Sequence, residues 1–68
     1  MPYKIQFTNS SGTTTTETTV TWRGAKRIMR KKLTGGEVVR AAAYAWVRKS
    51  NAWSHCGEWS WEDAETLK

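Results

Sequence analysis

The sequence predicts an α+β fold: one small domain spanning residues 1–68, with an antiparallel sheet in the order β-β-α-β-β covered on one face by a single amphipathic helix. Three observations carry that expectation. Tyr3, Ile5 and Phe7 alternate with Lys4, Gln6 and Thr8, the period of a half-buried strand. Between residues 22 and 33, apolar residues recur at helical spacing. Trp53, His55, Gly57, Trp59 and Trp61 then alternate with Ser54, Cys56, Glu58 and Ser60, again with a period of two.

The first strand should turn its aromatic side inward and end at Asn9-Ser10-Ser11-Gly12, where Asn and Ser supply turn chemistry and Gly12 accepts a positive φ. The threonine-rich stretch 13–21 favours extended structure because β-branched side chains are stiff at χ1, so it pairs with the first strand as a hairpin. A loose loop over 13–16 is the alternative, since few apolar anchors fix its register. Thr21 is placed as a helix N-cap, with Val20 positioned to staple onto Ala25. The helix should run to about Leu33 and stop at Gly35 or Gly36. Gly24, near its start, weakens it and admits the close approach of a strand or partner.

Residues 37–49 admit two readings. Four alanines and a capping box at Thr34-Gly35-Gly36-Glu37 favour a second helix. As a strand, Val39, Ala41, Ala43, Ala45 and Val47 share one small apolar face, and Arg40, Tyr44, Trp46 and Arg48 share the other with Val38 and Ala42. The strand divides the chemistry more cleanly and is preferred. Ser50-Asn51 then makes a turn, and the following strand puts its tryptophans on one face; if that face lies beneath the helix, they complement the small alanines of the neighbouring strand. The acidic stretch 62–68 reads as a helical turn or a frayed end.

Function has to be sought on the surface. A 68-residue chain has a small core, and its one cysteine allows no internal disulfide. Five tryptophans compensate in part, and a homodimer is the other common remedy. The formal charge of +5 is unevenly placed. Residues 23–49 carry nine basic groups against Glu37 alone, a balance of +8, while residues 58–68 carry four acids against Lys68, a balance of −3. No apolar run is long enough to span a membrane, and the N-terminus has no apolar signal segment, so a cytoplasmic protein is expected.

No catalytic group, metal site or cofactor site is expected. His55 and Cys56 are sequence neighbours, which point to opposite faces of a strand and so do not form a nucleophile–base pair. Two potential ligands fall short of the four a structural zinc site needs. No phosphate-loop or dinucleotide-binding glycine pattern occurs, and the acids near the end carry no sign of a concave apolar site.

Two binding surfaces remain. Six of the ten residues from 23 to 32 are basic and none is acidic. At about 100° per residue, Arg23, Arg27, Arg30 and Lys31 fall in one sector and Trp22, Ala25, Met29 and Leu33 in another, with Lys26 and Lys32 flanking the charged one. Such a face suits the phosphates of nucleic acid or an acidic protein groove. The second surface is the outward side of the third strand, where Tyr44 and Trp46 lie between Arg40 and Arg48. Aromatic residues interleaved with arginine stack bases or anchor a protein interface, unless the tail or a second subunit covers Trp46.

Residues 19–32, with Ala25-Lys26-Arg27-Ile28 at their centre, followed by Gly36-Glu37-Val38-Val39-Arg40 and a Trp-bearing hairpin, resemble the plan of small phage-encoded α/β anti-CRISPR inhibitors of type I surveillance complexes. The likeness covers about half the chain; the threonine run, the five tryptophans and the alanine-rich third strand depart from it. The resemblance implies a non-enzymatic phage or mobile-element protein, acting in the host cytoplasm. It would dock on the backbone subunits of a nucleoprotein complex and block nucleic-acid access. Lys26, Arg27, Arg30 and Lys31 are the positions it carries over. The alternative is a small module that binds DNA or RNA directly, in helix-turn-helix form if residues 37–49 are helical.

Overall fold

The computed structural model describes residues 2–36 and 38–67, the last three by their backbone alone. Glu37, Lys68 and the side chain of Glu65, which enter the charge balances, lie outside the described residues, as does the Glu37 arm of the expected capping box. The elements are β1 (Tyr3–Asn9), β2 (Thr14–Thr19), α1 (Trp22–Thr34), β3 (Val38–Val47), β4 (Ala52–Ser60) and a C-terminal 3₁₀ helix (Trp61–Leu67). The strands form one antiparallel sheet in the order β2-β1-β3-β4.

The hairpin forms from β1 and β2, with Ile5 opposite Glu17 and Phe7 opposite Thr15. Its turn is held by Asn9, whose Oδ1 accepts from the backbone N–H of Ser11 at 3.1 Å and of Thr13 at 2.9 Å, an Asx arrangement that adds to the backbone bonds from Asn9 N–H to the Thr13 carbonyl and from Gly12 N–H to the Asn9 carbonyl. Gly12 takes φ 89° as expected. Both β2 and β3 run antiparallel to β1, so they are parallel to each other and need a crossover between them. The helix α1 is that crossover. Its path over β1 is the reason only one face of the sheet is covered.

Thr21 caps α1: its Oγ1 accepts from the Gly24 N–H at 3.0 Å. Gly24 is the close approach anticipated from sequence, since a Cβ there would lie 2.7 Å from the Thr19 Oγ1 at the end of β2. The expected staple does not form. Val20 is 73% exposed, because the N-cap turns it toward solvent rather than onto Ala25.

Ala25, Met29 and Leu33 of α1 pack on Ile5 and Phe7 of β1 and on Ala41 and Ala43 of β3. The core holds no polar side chain among the described residues. Each large apolar side chain so buried contributes about 1.5–3 kcal/mol. Tyr3, Trp22 and Trp59 extend this core as a row linking β1, α1 and β4, with ring centroids 5.6 and 5.9 Å apart. The alanines of β3 are what let the helix lie close above the strand.

Residues 38–47 are strand, so the second helix, its capping box and the helix-turn-helix arrangement are all excluded. Two register shifts correct the expected faces. Between Thr8 and Asn9 the pairing steps from Arg40 to Val38, and Val38 enters the core instead of the outward face. In β4 the pairing steps from Gly57 opposite Ala43 to His55 opposite Tyr44, leaving Cys56 as the extra residue. Trp53 and His55 therefore lie on the face opposite Trp59, and the tryptophans do not share a side. Trp61 begins the 3₁₀ helix and is 59% exposed. That helix packs on the α1 side of the sheet with Ala64 in the core, so the described part of the tail does not cover Trp46. Its start is braced by Asp63, whose carboxylate accepts from the Ser60 N–H at 3.0 Å.

Candidate functional site

The geometry presents two surfaces on opposite sides of a molecule whose principal extents are 36 × 25 × 15 Å. On the first, α1 turns Ala25, Met29 and Leu33 inward, and the helical period turns Arg23, Arg27, Arg30 and Lys31 away from them, all exposed. Lys26 stands at the border and is partly buried. Together with Thr34 and Gly35 these side chains form one contiguous, open cationic surface along the helix. All five predicted helix positions thus come together as expected.

None of these five cations lies within ion-pairing distance of an acid among the described residues; the one pair that α1 makes there is Lys32 with Glu17 of β2 at 3.7 Å. The arrangement is costly. Arg23–Arg27, Lys26–Arg30 and Arg27–Lys31 are spaced four apart, and each like-charged pair costs a few tenths of a kcal/mol. The first turn carries no acid to complement the helix dipole, whereas Lys31 and Lys32 in the last turn do complement it. A face assembled against these local preferences is available to an external anion.

The second surface is the side of the sheet that α1 leaves open. Arg40, Tyr44 and Trp46 lie on it as predicted. Arg48 lies just past the end of β3, at the start of the turn, where its carbonyl accepts from the N–H of Asn51, itself at φ 51°. The bulge at Cys56 adds Trp53 and His55 to this face, and β1 adds Lys4 opposite Tyr44. Tyr44 meets His55 edge-on at 5.3 Å, and Trp46 meets Trp53 edge-on at 5.2 Å. The Lys4 ammonium lies 5.1 Å from the Tyr44 ring centre and 4.8 Å from that of Trp53, a cation shared by two rings.

Sequence reasoning missed Lys4, Trp53 and His55 as members of this group. The readable signal was Gly57, since an isolated glycine within an alternating strand marks a bulge or a close contact. Here it does both: a Cβ on Gly57 would lie 2.9 Å from the Trp59 indole. His55 and Cys56 have separate partners. The imidazole sits 3.9 Å from Glu58, and the thiol faces the Ser54 carbonyl at 3.7 Å. No cluster of three or more His, Cys, Asp or Glu suited to a metal occurs among the described residues. Among them, too, no helix is long and apolar enough to cross a membrane. Comparison with protein-family models, with curated proteins and with solved structures finds no match for this chain.

Proposed function

We propose that the protein is a non-enzymatic docking module that engages the phosphate backbone of nucleic acid, bare or within a nucleoprotein complex, through the cationic face of α1. The observation that supports this reading is the set of five basic side chains on one face of α1 with no acid paired to them among the described residues. A helix about 10–12 Å across fits the roughly 12 Å major groove of duplex DNA. Without a second helix, α1 docks alone against the sheet that supports it. The contacts are to phosphates, so affinity is largely independent of sequence.

The sharper form of the reading is an inhibitor that competes with nucleic acid on a type I CRISPR surveillance complex, and it rests on the resemblance carried by residues 19–32 and 36–40. A reducing cytoplasm suits the exposed, unpaired Cys56.

Fluorescence anisotropy with a labelled random-sequence duplex tests phosphate docking. Five phosphate contacts predict a slope of log K against log salt of about −4.5. Arg27→Glu with Arg30→Glu should reduce affinity at least 30-fold at low salt. No binding at 50 mM salt overturns phosphate docking and leaves an acidic protein groove as the partner of α1.

A further inference from the structure

The open face of the sheet carries a feature that phosphate docking by α1 does not use. At one end of that face, Tyr44, Trp46, Trp53 and His55 form a contiguous aromatic group with the Lys4 ammonium seated between two of its rings. Tyr44, Trp46 and Trp53 are only partly buried, and His55 is exposed. The two described helices, α1 and the C-terminal 3₁₀ helix, pack on the other side, so neither lies over this group.

Large aromatic side chains are costly to leave half in water. Burying each of them completely would remove a further part of the 150–250 Å² that such a side chain can bury. The Cys56 bulge brings Trp53 and His55 to this face; an uninterrupted strand would have placed them under the helix with Trp59. Most of the open face beyond the cluster is hydrogen-bonding or cationic: Gln6, Thr8, Thr16, Thr18 and Arg40. Its one acid among the described residues, Glu58, lies beside His55.

We infer that this face is a second binding site, one that takes single-stranded nucleic acid with bases stacked on Trp46, Trp53 and Tyr44 and phosphates held by Lys4 and Arg40. Charge complementarity selects this occupant. A second copy paired through this face would set Lys4 and Arg40 against their own like charges with only Glu58 to offset them among the described residues, whereas a single strand supplies flat apolar rings and anions together. Stacking tolerates any base because every base offers a π face. With α1 on the other side of the sheet, the two sites share no side chain.

The test compares a dT 15-mer with an abasic 15-mer of the same phosphate count, both labelled, at 300 mM salt where phosphate contacts are weakened. The dT oligomer should bind at least tenfold more tightly. Trp46→Ala with Trp53→Ala should abolish that preference, while Trp46→Tyr with Trp53→Tyr, which keeps the rings, should retain most of it. Arg27→Glu with Arg30→Glu should leave it intact, which separates this site from α1. Equal affinity for the two oligomers overturns the inference, as does an unchanged preference in a folded Trp46→Ala, Trp53→Ala protein. A sedimenting dimer that the alanine pair dissolves overturns it too, by assigning the face to a second copy.

Discussion

At the scale of single residues, two glycines show how much of this fold depends on an absent side chain. Gly24 lets the start of α1 lie against Thr19. Gly57 lets the Trp59 indole lie across β4 with carbon atoms at 2.9–3.4 Å from where a Cβ would be. Trp59 in turn meets Trp22 at 5.9 Å, and Trp22 meets Tyr3 at 5.6 Å, so the glycine supports the whole aromatic row. Gly57→Ala should therefore destabilise the protein by about 1–3 kcal/mol, the usual cost of overpacking. In a domain this small that lowers the thermal midpoint by several degrees, measurable by circular dichroism. A midpoint equal to wild type would show that Trp59 moves aside without loss. Gly57 was legible from the sequence as a punctuation mark; its contact with Trp59 was not, because a local pattern does not specify which way an indole folds over its own strand.

At the scale of elements, α1 was the most readable part of the chain and β4 the least. The helix follows from its own sequence: Thr21 caps it, its apolar stripe is continuous, and the glycines at 35 and 36 end it. Its charge is a local liability. Replacing Arg27 by Glu converts repulsion with Arg23 and Lys31 into attraction, so the single variant Arg27→Glu should raise stability by about 0.5–1 kcal/mol while weakening polyanion binding. A chemical-denaturation midpoint that falls instead would mean that Arg27 serves the fold. In β4 the alternation 53–61 was genuine but broken in phase. A bulge requires a neighbouring strand with which to be out of register, and β3 supplies it. Trp53 and Trp59 were thus recognised as strand residues but wrongly given a common face.

At the scale of the whole molecule, uneven charge governs behaviour more than net charge does. The cationic side of α1 and the Lys4–Arg40 side of the sheet face opposite directions, while the described acids are Glu17, paired with Lys32, Glu58 on the open face beside His55, and Glu62 and Asp63 in the 3₁₀ helix. Salt should therefore act in opposite senses on folding and on binding. Raising ionic strength from about 0.05 to 0.5 M shortens the screening length from over 10 Å to under 5 Å and relieves repulsion within α1. The free protein's thermal midpoint should rise by a few degrees over that range, while affinity for duplex falls by orders of magnitude. A midpoint that falls with salt would mean that ion pairs such as Lys32–Glu17 outweigh the repulsion.

The amino-acid sequence by itself determined the class of the fold, the order of its elements, the cap and ends of α1, and the separation of that helix into a core stripe and a cationic face. These are encoded within a few consecutive residues, through period, capping and charge spacing. Only the tertiary structure decided that 38–47 is a strand, that Val38 turns inward, that Arg48 leaves the sheet, and that Trp53 and His55 join Tyr44, Trp46 and Lys4 on the open face. Each of these depends on pairing between strands far apart in the chain, where one inserted residue exchanges the two faces of everything beyond it.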